Sequence, residues 1–267
     1  MPIKWLMEYW EKMAEKILPY LQGRRIAVQQ KFDGNILYRR HMPQSKTRWI
    51  YISSKDELME WARLHTYSFH THLEGEKTTI FAMDLDKRSK KMDFECMKIA
   101  AHYMAKILDD KGINYLCKFS GGNGWHFLWE FENSDIKGLK IFEIEQKIIN
   151  RLTALCEEKI QRSKDKNKFY KYLKSGDPIF VVSSQDKDHP NSILIDEFIL
   201  KRRGVIRSIY SVHPSSDWTS RPVEKKDILK FNPKTMATAK ATMKIKKEYL
   251  MPKNKIKETL NKLEIDR

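Results

Sequence analysis

The segment that most restricts the fold is residues 119–131, FSGGNGWHFLWEF, in which a glycine-rich turn leads directly into an apolar run. Glycine tolerates positive φ and has no side chain, so the chain can bend sharply at Gly121, Gly122 and Gly124. Alternation along the following strand places one histidine, His126, on the face opposite four aromatic residues: Trp125, Phe127, Trp129 and Phe131. We therefore predict a turn followed by a buried strand.

A turn of this kind can direct several backbone N–H groups at one anion, because glycine and asparagine leave no bulky side chain in the way. His126 would add a donor from the next strand. The segment matches neither the phosphate-binding loop with Gly-Lys-Ser/Thr nor the dinucleotide-binding glycine pattern, since both lead into a helix. Two interpretations stay open: an anion site, or an ordinary hairpin with a hydrogen-bonded histidine.

The charge of the chain indicates a polyanionic partner. Its 267 residues include 51 Lys and Arg against 35 Asp and Glu, a net charge of +16, and 41% are hydrophobic, enough for a buried core. No apolar run is long enough for a membrane span and no cleavable leader is evident, so we expect a cytoplasmic protein without a membrane partner. The isolated Cys96, Cys117 and Cys156 are expected to be buried and to form neither disulfides nor a zinc site.

Periodicity and cap signals predict an α+β domain with mainly antiparallel sheets. The predicted helices cover residues 5–22, 54–64, 93–110 and 136–160, and one or two more lie in 234–267. Gly112 is expected to end the third helix. The fourth is expected to direct five apolar side chains inward: Leu139, Phe142, Ile149, Leu152 and Leu155. The predicted strands cover a hairpin at 26–41 around Asp33-Gly34, then 48–52, 79–86, 113–119, 125–131, 179–183, 192–200 and 205–211.

Two carboxylates lie at i and i+2 on the predicted strand 79–86. The period of two places Asp84 and Asp86 on the same face, where two like charges favour a hard cation such as Mg²⁺ or Mn²⁺. The alternative is a solvated acidic strand end that continues into Lys87 and Arg88. For an isolated Asp-x-Asp this second interpretation is the commoner one.

Asp196 is a third candidate, because it interrupts an apolar run where a charge is costly unless it is paired or metal-bound. Glu197 would face the other way. The alternative for Asp196 is an ion pair with Arg202, Arg203 or Arg207, and it is about as frequent as a metal site.

Downstream, alternation would bring Arg207, Ser211 and His213 to one face, a set suited to phosphate oxygens. A zinc site built from His65, His70 and His72 is disfavoured, because their spacing fits no known ligand pattern.

Taken together and in this order, the motifs resemble the archaeo-eukaryotic primase superfamily: Asp84-Leu85-Asp86, then Ser120-Gly-Gly-Asn-Gly-Trp-His126, then Asp196. Residues 9–25 (YWEKMAEKILPYLQGRR) and 54–70 (SKDELMEWARLHTYSFH, ending at His70) are similar to the polymerase domain of bacterial ligase D and its stand-alone archaeal relatives. The resemblance covers about residues 3–232. It implies two mainly antiparallel sheets flanked by helices that enclose a catalytic cleft, with a catalytic domain at 1–232 and a Lys-rich helical extension at 233–267.

Three features depart from ligase D polymerase domains. Tyr210-Ser-Val-His213 stands where those domains usually have Tyr-Ser-Leu-Arg, and it is more similar to the small subunits of replicative primases. The zinc knuckle of those subunits is missing, so no zinc is expected. Gly122-Asn123 stands where many relatives have a lysine.

The resemblance implies template-dependent nucleotidyl transfer with two Mn²⁺ or Mg²⁺ ions held by Asp84, Asp86 and Asp196. It implies that an NTP or dNTP is bound by ten residues: His70, Ser120, Gly121, Gly122, Asn123, Gly124, His126, Arg207, Ser211 and His213. From the basic excess we expect DNA contacts at Lys12, Lys16, Arg24, Arg25 and Lys31. The resemblance implies that Lys4, Lys12 and Lys16 are counterparts of the N-terminal basic residues with which ligase D relatives bind the 5′-phosphate.

The implied biological role is gap filling or end extension in double-strand break repair by non-homologous end joining. The substrate would be a primer-template, or gapped or broken DNA with a 5′-phosphate, often with ribonucleotides, and Ku and a DNA ligase would be partners. Two alternatives stay open: a primase that starts chains de novo, and a non-catalytic nucleic-acid-binding protein. Clustered carboxylates disfavour the last, because they would repel a phosphate backbone.

Overall fold

The computed structural model describes residues 3–183, 185–200 and 204–266. Ten α-helices lie within these ranges: α1 (Lys4–Leu21), α2 (Lys55–Arg63), α3 (Phe94–Asp110), α4 (Asn133–Ile136), α5 (Ile141–Gln161), α6 (Lys166–Phe169), α7 (Lys225–Ile228), α8 (Pro233–Met236), α9 (Ala239–Thr242) and α10 (Ile256–Leu263). No helix in this part of the chain is long and apolar enough to cross a membrane.

α2 and α3 begin and end where the sequence signals predict, whereas the helix predicted at 136–160 begins only at Ile141. Ser54 Oγ accepts the backbone N–H of Glu57 at 3.2 Å, which caps α2. Asp93 accepts the N–H of Glu95 and caps α3. Gly112 follows α3 with a φ of +62°, the left-handed conformation that glycine adopts without strain.

The nine strands form two halves of one sheet. They are β1 (Arg24–Phe32), β2 (Asn35–Arg39), β3 (Thr66–Gly75), β4 (Thr78–Lys87), β5 (Leu116–Phe119), β6 (Trp125–Glu132), β7 (Phe180–Val181), β8 (Ile193–Ile195) and β9 (Val205–Arg207). One half has the order β2-β1-β3-β9 and the other β5-β6-β4-β8-β7. Only β7 and β8 pair in parallel among these strands. The halves meet where β3 turns into β4, at the pair Glu74 and Thr79. The predicted mainly antiparallel α+β fold is confirmed.

β6 is buried along nearly its whole length, as residues 125–131 predict. Trp125, Phe127, Trp129 and Phe131 are fully buried, and Phe81 of β4 stacks on Trp129 with ring centroids 4.1 Å apart. Because both faces of β6 are covered, His126 also lies inside the protein, 4% exposed. The free cysteines Cys96, Cys117 and Cys156 are buried.

Four local predictions are wrong. Residues 48–52 form only isolated bridges, such as Ile26 with Ile50. The strand predicted at 192–200 ends at Ile195, and a 3₁₀ helix follows at Glu197–Leu200. The strand predicted at 205–211 ends at Arg207, because Tyr210 has a φ of +64°. Leu139 precedes α5 and is exposed.

The C-terminal segment packs on the rest of the protein. Ile256, Leu260 and Leu263 of α10 belong to the same hydrophobic core as the sheet, and Glu130 of β6 donates its N–H to the carbonyl of Pro252 at 2.8 Å. The predicted division between a catalytic domain at 1–232 and an extension at 233–267 stays a prediction.

Candidate active site

One row of side chains crosses four neighbouring strands. Lys118 of β5 pairs with His126 of β6, and His126 pairs with Asp84 of β4. Leu85 pairs with Ile195 of β8, so Asp196 follows directly opposite Asp84, and its N–H donates to the Asp84 carbonyl at 3.0 Å. Strand pairing therefore brings the third predicted carboxylate beside the first.

The next row carries Asp86 and the glycine turn. A Cβ atom on Gly124 would lie 2.5 Å from the Leu85 carbonyl oxygen and 2.6 Å from Asp86 Oδ1. Only glycine permits this approach. Ser120 Oγ accepts the N–H groups of Gly122 and Gly124 at 3.2 and 3.1 Å, which fixes the turn.

The carboxylates repel one another. The negative charge of Asp84 is the main cause that raises the pKa of Asp86, followed by burial and by Asp196. Burial raises the pKa of Asp84, against the opposing effect of Lys118 and Arg207. A site that disfavours its own negative charge in this way gains stability from a bound cation.

The donor set fits such a cation. Asp84 Oδ1 is buried without a hydrogen-bond partner among the described residues; His126 Nε2 lies 3.2 Å away but without hydrogen-bond geometry. No three His, Cys, Asp or Glu side chains in the described ranges already converge as a metal cluster. Mg²⁺ and Mn²⁺ commonly use only one or two carboxylates together with water and substrate phosphates.

An arginine and two histidines also belong to the site, and the arginine acts on Asp84 and Asp86. Arg207 connects the two halves of the sheet: Nε donates to Ser68 Oγ at 3.0 Å, Nη1 to the Ser120 carbonyl at 3.0 Å and Nη2 to Gln29 Oε1 at 3.1 Å. Burial lowers its pKa to about 10, against the opposing effect of Asp84 and Asp86. The guanidinium therefore holds the glycine turn against β1 and β3.

Two histidines lie beside this arginine. His70 Nε2 is 3.1 Å from Ser68 Oγ, and burial lowers the pKa of His70 well below its usual value. His213 Nδ1 accepts the N–H of Ser215 at 3.2 Å, so a neutral His213 carries its proton on Nε2. That Nε2 would lie 3.4 Å from a Cβ atom on Gly122, so the imidazole packs on the turn.

Residues 4–249 match the family model for the LigD primase-polymerase domain. The chain belongs to this family. A comparison with curated proteins gave no match. Among solved structures, the polymerase domain from Mycobacterium tuberculosis ligase D in complex with DNA is similar, with a TM-score of 0.66 and 13% identity over 89% of this chain and 86% of that one. That likeness shows a shared fold.

Membership of the LigD primase-polymerase family supports a nucleotidyltransferase activity. Eleven of the predicted residues lie together in one site. They are Asp84, Asp86, Asp196, Ser120, Gly121, Gly122, Gly124, His70, His126, Arg207 and His213. Asn123 belongs to the same turn.

Ser211 differs from its prediction. Its hydroxyl donates to the Phe69 carbonyl and accepts the Phe69 N–H, and the side chain is fully buried. It therefore fastens the chain to β3 and has no surface for a phosphate. The alternation that predicted this position fails because the strand ends at Arg207.

The predicted DNA-binding cations fall into two groups. In the first group, Lys4 and Lys12 are exposed on α1 and Arg25 lies over the Trp49 ring. In the second group, Lys16 donates a hydrogen bond to the carbonyl of Ile245, and Lys31 donates one to the carbonyl of Pro214. The prediction that Arg24 contacts DNA does not fit its position in the structure. Arg24 is 6% exposed, ion-paired with Glu130 at 2.8 Å, and therefore structural.

Sequence reasoning missed Lys118, Gln29, Ser68 and Ser220. Lys118 had a usable signal, since it is a charge inside the apolar strand Leu116–Phe119, the same argument that identified Asp196. Gln29, Ser68 and Ser220 are common polar residues whose importance depends on Arg207 and Lys118, and no local pattern shows that.

Proposed function

We propose that this protein is a template-dependent nucleotidyltransferase that fills gaps and extends ends in DNA double-strand break repair by non-homologous end joining, with ribonucleotides among its substrates. The observation that carries this proposal is the meeting of Asp84 and Asp196 across paired strands, with Asp86 against the glycine turn. The similar polymerase domain from Mycobacterium tuberculosis, which was solved with DNA, supports a DNA substrate.

Asp84, Asp86 and Asp196 would hold Mg²⁺ or Mn²⁺, which would activate a primer 3′-hydroxyl and stabilise the charge on the departing pyrophosphate. The protein's own groups complete the site. The turn at 120–124 lies against Asp86, and Arg207 and His213 contact this turn; these groups would bind and orient the triphosphate. Lys4, Lys12 and Arg25 would contact the DNA backbone, and Ku and a ligase would be partners.

The experiment that tests this function is extension of a labelled primer across a short gap with a 5′-phosphate. The reactions contain ribonucleotides or deoxyribonucleotides and either Mn²⁺ or Mg²⁺. We expect templated addition by the wild type and none by Asp84→Asn, which should still bind the DNA. Full activity of Asp84→Asn would contradict the assignment. Equal affinity for gaps with and without the 5′-phosphate would contradict the gap-filling role.

A second function, de novo priming, is favoured by His213, which stands where ligase D domains usually have arginine, in a segment more similar to the small subunits of replicative primases. His213 packs on the glycine turn, where a Cβ atom on Gly121 would lie 3.3 Å from its Cβ, so the substitution lies in the site itself. A single-stranded template with labelled nucleotides and no primer separates the two functions. Products from that reaction would indicate priming.

A further inference from the structure

Lys118 is a buried lysine that the proposed chemistry does not use. Its side chain is fully buried, whereas lysine is almost always exposed. A buried amine is costly unless its donors are satisfied, and Lys118 Nζ has two partners: Ser220 Oγ at 2.8 Å and His126 Nδ1 at 2.6 Å. A hydrophobic side chain would fill the same volume without this cost, so the retained amine points to a polar role.

The hydrogen bonds around Lys118 define which atoms donate. The Ser220 hydroxyl donates to the Phe119 carbonyl at 3.1 Å, so Ser220 Oγ accepts from Lys118. Because an ammonium group can only donate, a charged Lys118 makes His126 Nδ1 the acceptor and leaves the ring proton on Nε2; the two N–H groups of a neutral amine allow the same arrangement.

That tautomer has a consequence for Asp84. His126 Nε2 lies 3.2 Å from Asp84 Oδ1, the buried oxygen that has no hydrogen-bond partner in the described part of the chain. An N–H on Nε2 attracts this oxygen, whereas a lone pair would repel it. The same side of the site holds Arg207 and His70, and neither hydrogen-bonds to His126 in the described structure.

We propose that Lys118 is a positioning residue: by donating to His126 Nδ1 it keeps the proton on Nε2 and so orients the Asp84 carboxylate for the cation and the primer end. The inference rests on the proposed nucleotidyl transfer and assigns it a residue outside the carboxylates and the glycine turn. Because its side chain is fully buried, Lys118 is not available for contact with DNA or nucleotide. The proposed orientation of Asp84 runs through His126, while a second N–H of Lys118 holds Ser220 Oγ.

The direct test is the tautomer of His126 in the metal-free protein. Long-range ¹H–¹⁵N NMR spectra of ¹⁵N-histidine-labelled protein distinguish the two tautomers, and His126→Gln assigns the signal. We expect the proton on Nε2 in the wild type and a shift toward Nδ1 in Lys118→Met. Lys118→Gln, whose amide can still donate to Nδ1, should retain the wild-type tautomer. A wild-type proton on Nδ1 would overturn the inference, even if no variant folds.

Kinetics provide the second test. Lys118→Met should lower kcat for gap filling about 10–100-fold, as for other residues that orient a metal ligand. The Kd for DNA should not change, and Lys118→Gln should recover part of kcat. Lys106→Met, at an exposed position on α3, is the matched control. An unchanged kcat in folded Lys118→Met would overturn the inference, whereas a wild type without any extension activity would overturn the proposed function instead.

Discussion

The backbone N–H of Asp196 donates to the carbonyl oxygen of Asp84 at 3.0 Å, although the two residues are far apart in the sequence. The contact continues the antiparallel pairing of β4 with β8. The main chain therefore sets the spacing of the two Cα atoms, and the side-chain rotamers only adjust the carboxylates about these fixed positions. A substitution that keeps the backbone should change the chemistry of the site and leave its framework intact.

Asp196→Asn should abolish nucleotide addition with little change in folding, because it removes a charge and keeps the shape and the backbone pair. The matched control is the neighbouring Glu197→Gln, since Glu197 accepts from Gln146 at 2.8 Å and so points away from the site. Primer extension and urea unfolding of both variants provide the comparison. Equal loss of activity in the two variants would contradict the role of Asp196.

Gly124→Ala should destabilise the protein by about 1–3 kcal/mol, the usual cost of forcing atoms into a closed space. The new Cβ atom would lie within 2.6 Å of both the Leu85 carbonyl and Asp86 Oδ1. The comparison is Gly122→Ala, where the nearest atoms would lie at an ordinary 3.4 Å. Equal unfolding midpoints for the two variants would show that the turn can move away from Asp86.

Arg24→Met should destabilise the fold by about 3–5 kcal/mol, because it leaves the half-buried carboxylate of Glu130 without its partner. It also removes the hydrogen bonds from Arg24 to the Leu73 carbonyl and to Thr78 Oγ1. The double variant Arg24→Met/Glu130→Gln should recover part of the loss. Arg25→Met is the control. If Arg24→Met weakened DNA binding at full stability, its assignment as structural would be wrong.

The stability of the metal-free protein should depend on pH through Glu145. Burial, with a smaller effect of Glu74, raises the pKa of Glu145 from 4.5 to about 8. The folded state therefore keeps a proton that the unfolded state loses above pH 4.5. The free energy of unfolding should fall by roughly 1.4 kcal/mol per pH unit from this group as the pH rises from 4.5 to 8.

Glu145→Gln should remove that slope, while Glu143→Gln near the start of the same helix should not, since Glu143 is exposed. Urea unfolding at several pH values measures the difference between each variant and the wild type. A difference for Glu145→Gln that stays constant from pH 4.5 to 8 would contradict the raised pKa.

Features with a local physical cause could be predicted from the sequence. The cap at Ser54 and the stop at Gly112 depend on neighbouring residues alone. The shared face of Asp84 and Asp86 follows from the strand period.

β3 is not among the predicted strands, although Tyr67, Phe69 and Leu73 alternate with Ser68, His70 and His72 as the strand period requires. The alternation does not show that the polar face, with Ser68, His70 and His72, is buried as well. Their environment is completed by distant residues such as Arg207. Ser211 was misassigned for a related reason, because the left-handed Tyr210 reverses the local direction of the chain and has no signal in a non-glycine residue. In both cases the deciding interaction is tertiary.

The three hydrogen bonds of Arg207 have a further consequence for turnover. They fasten the turn at 120–124 to β1 and β3 as the chain folds, before any ligand arrives. The conformational entropy of that loop is therefore lost once, during folding, and not again with each nucleotide that enters. A rigid receptor of this kind favours fast capture over selection by closure.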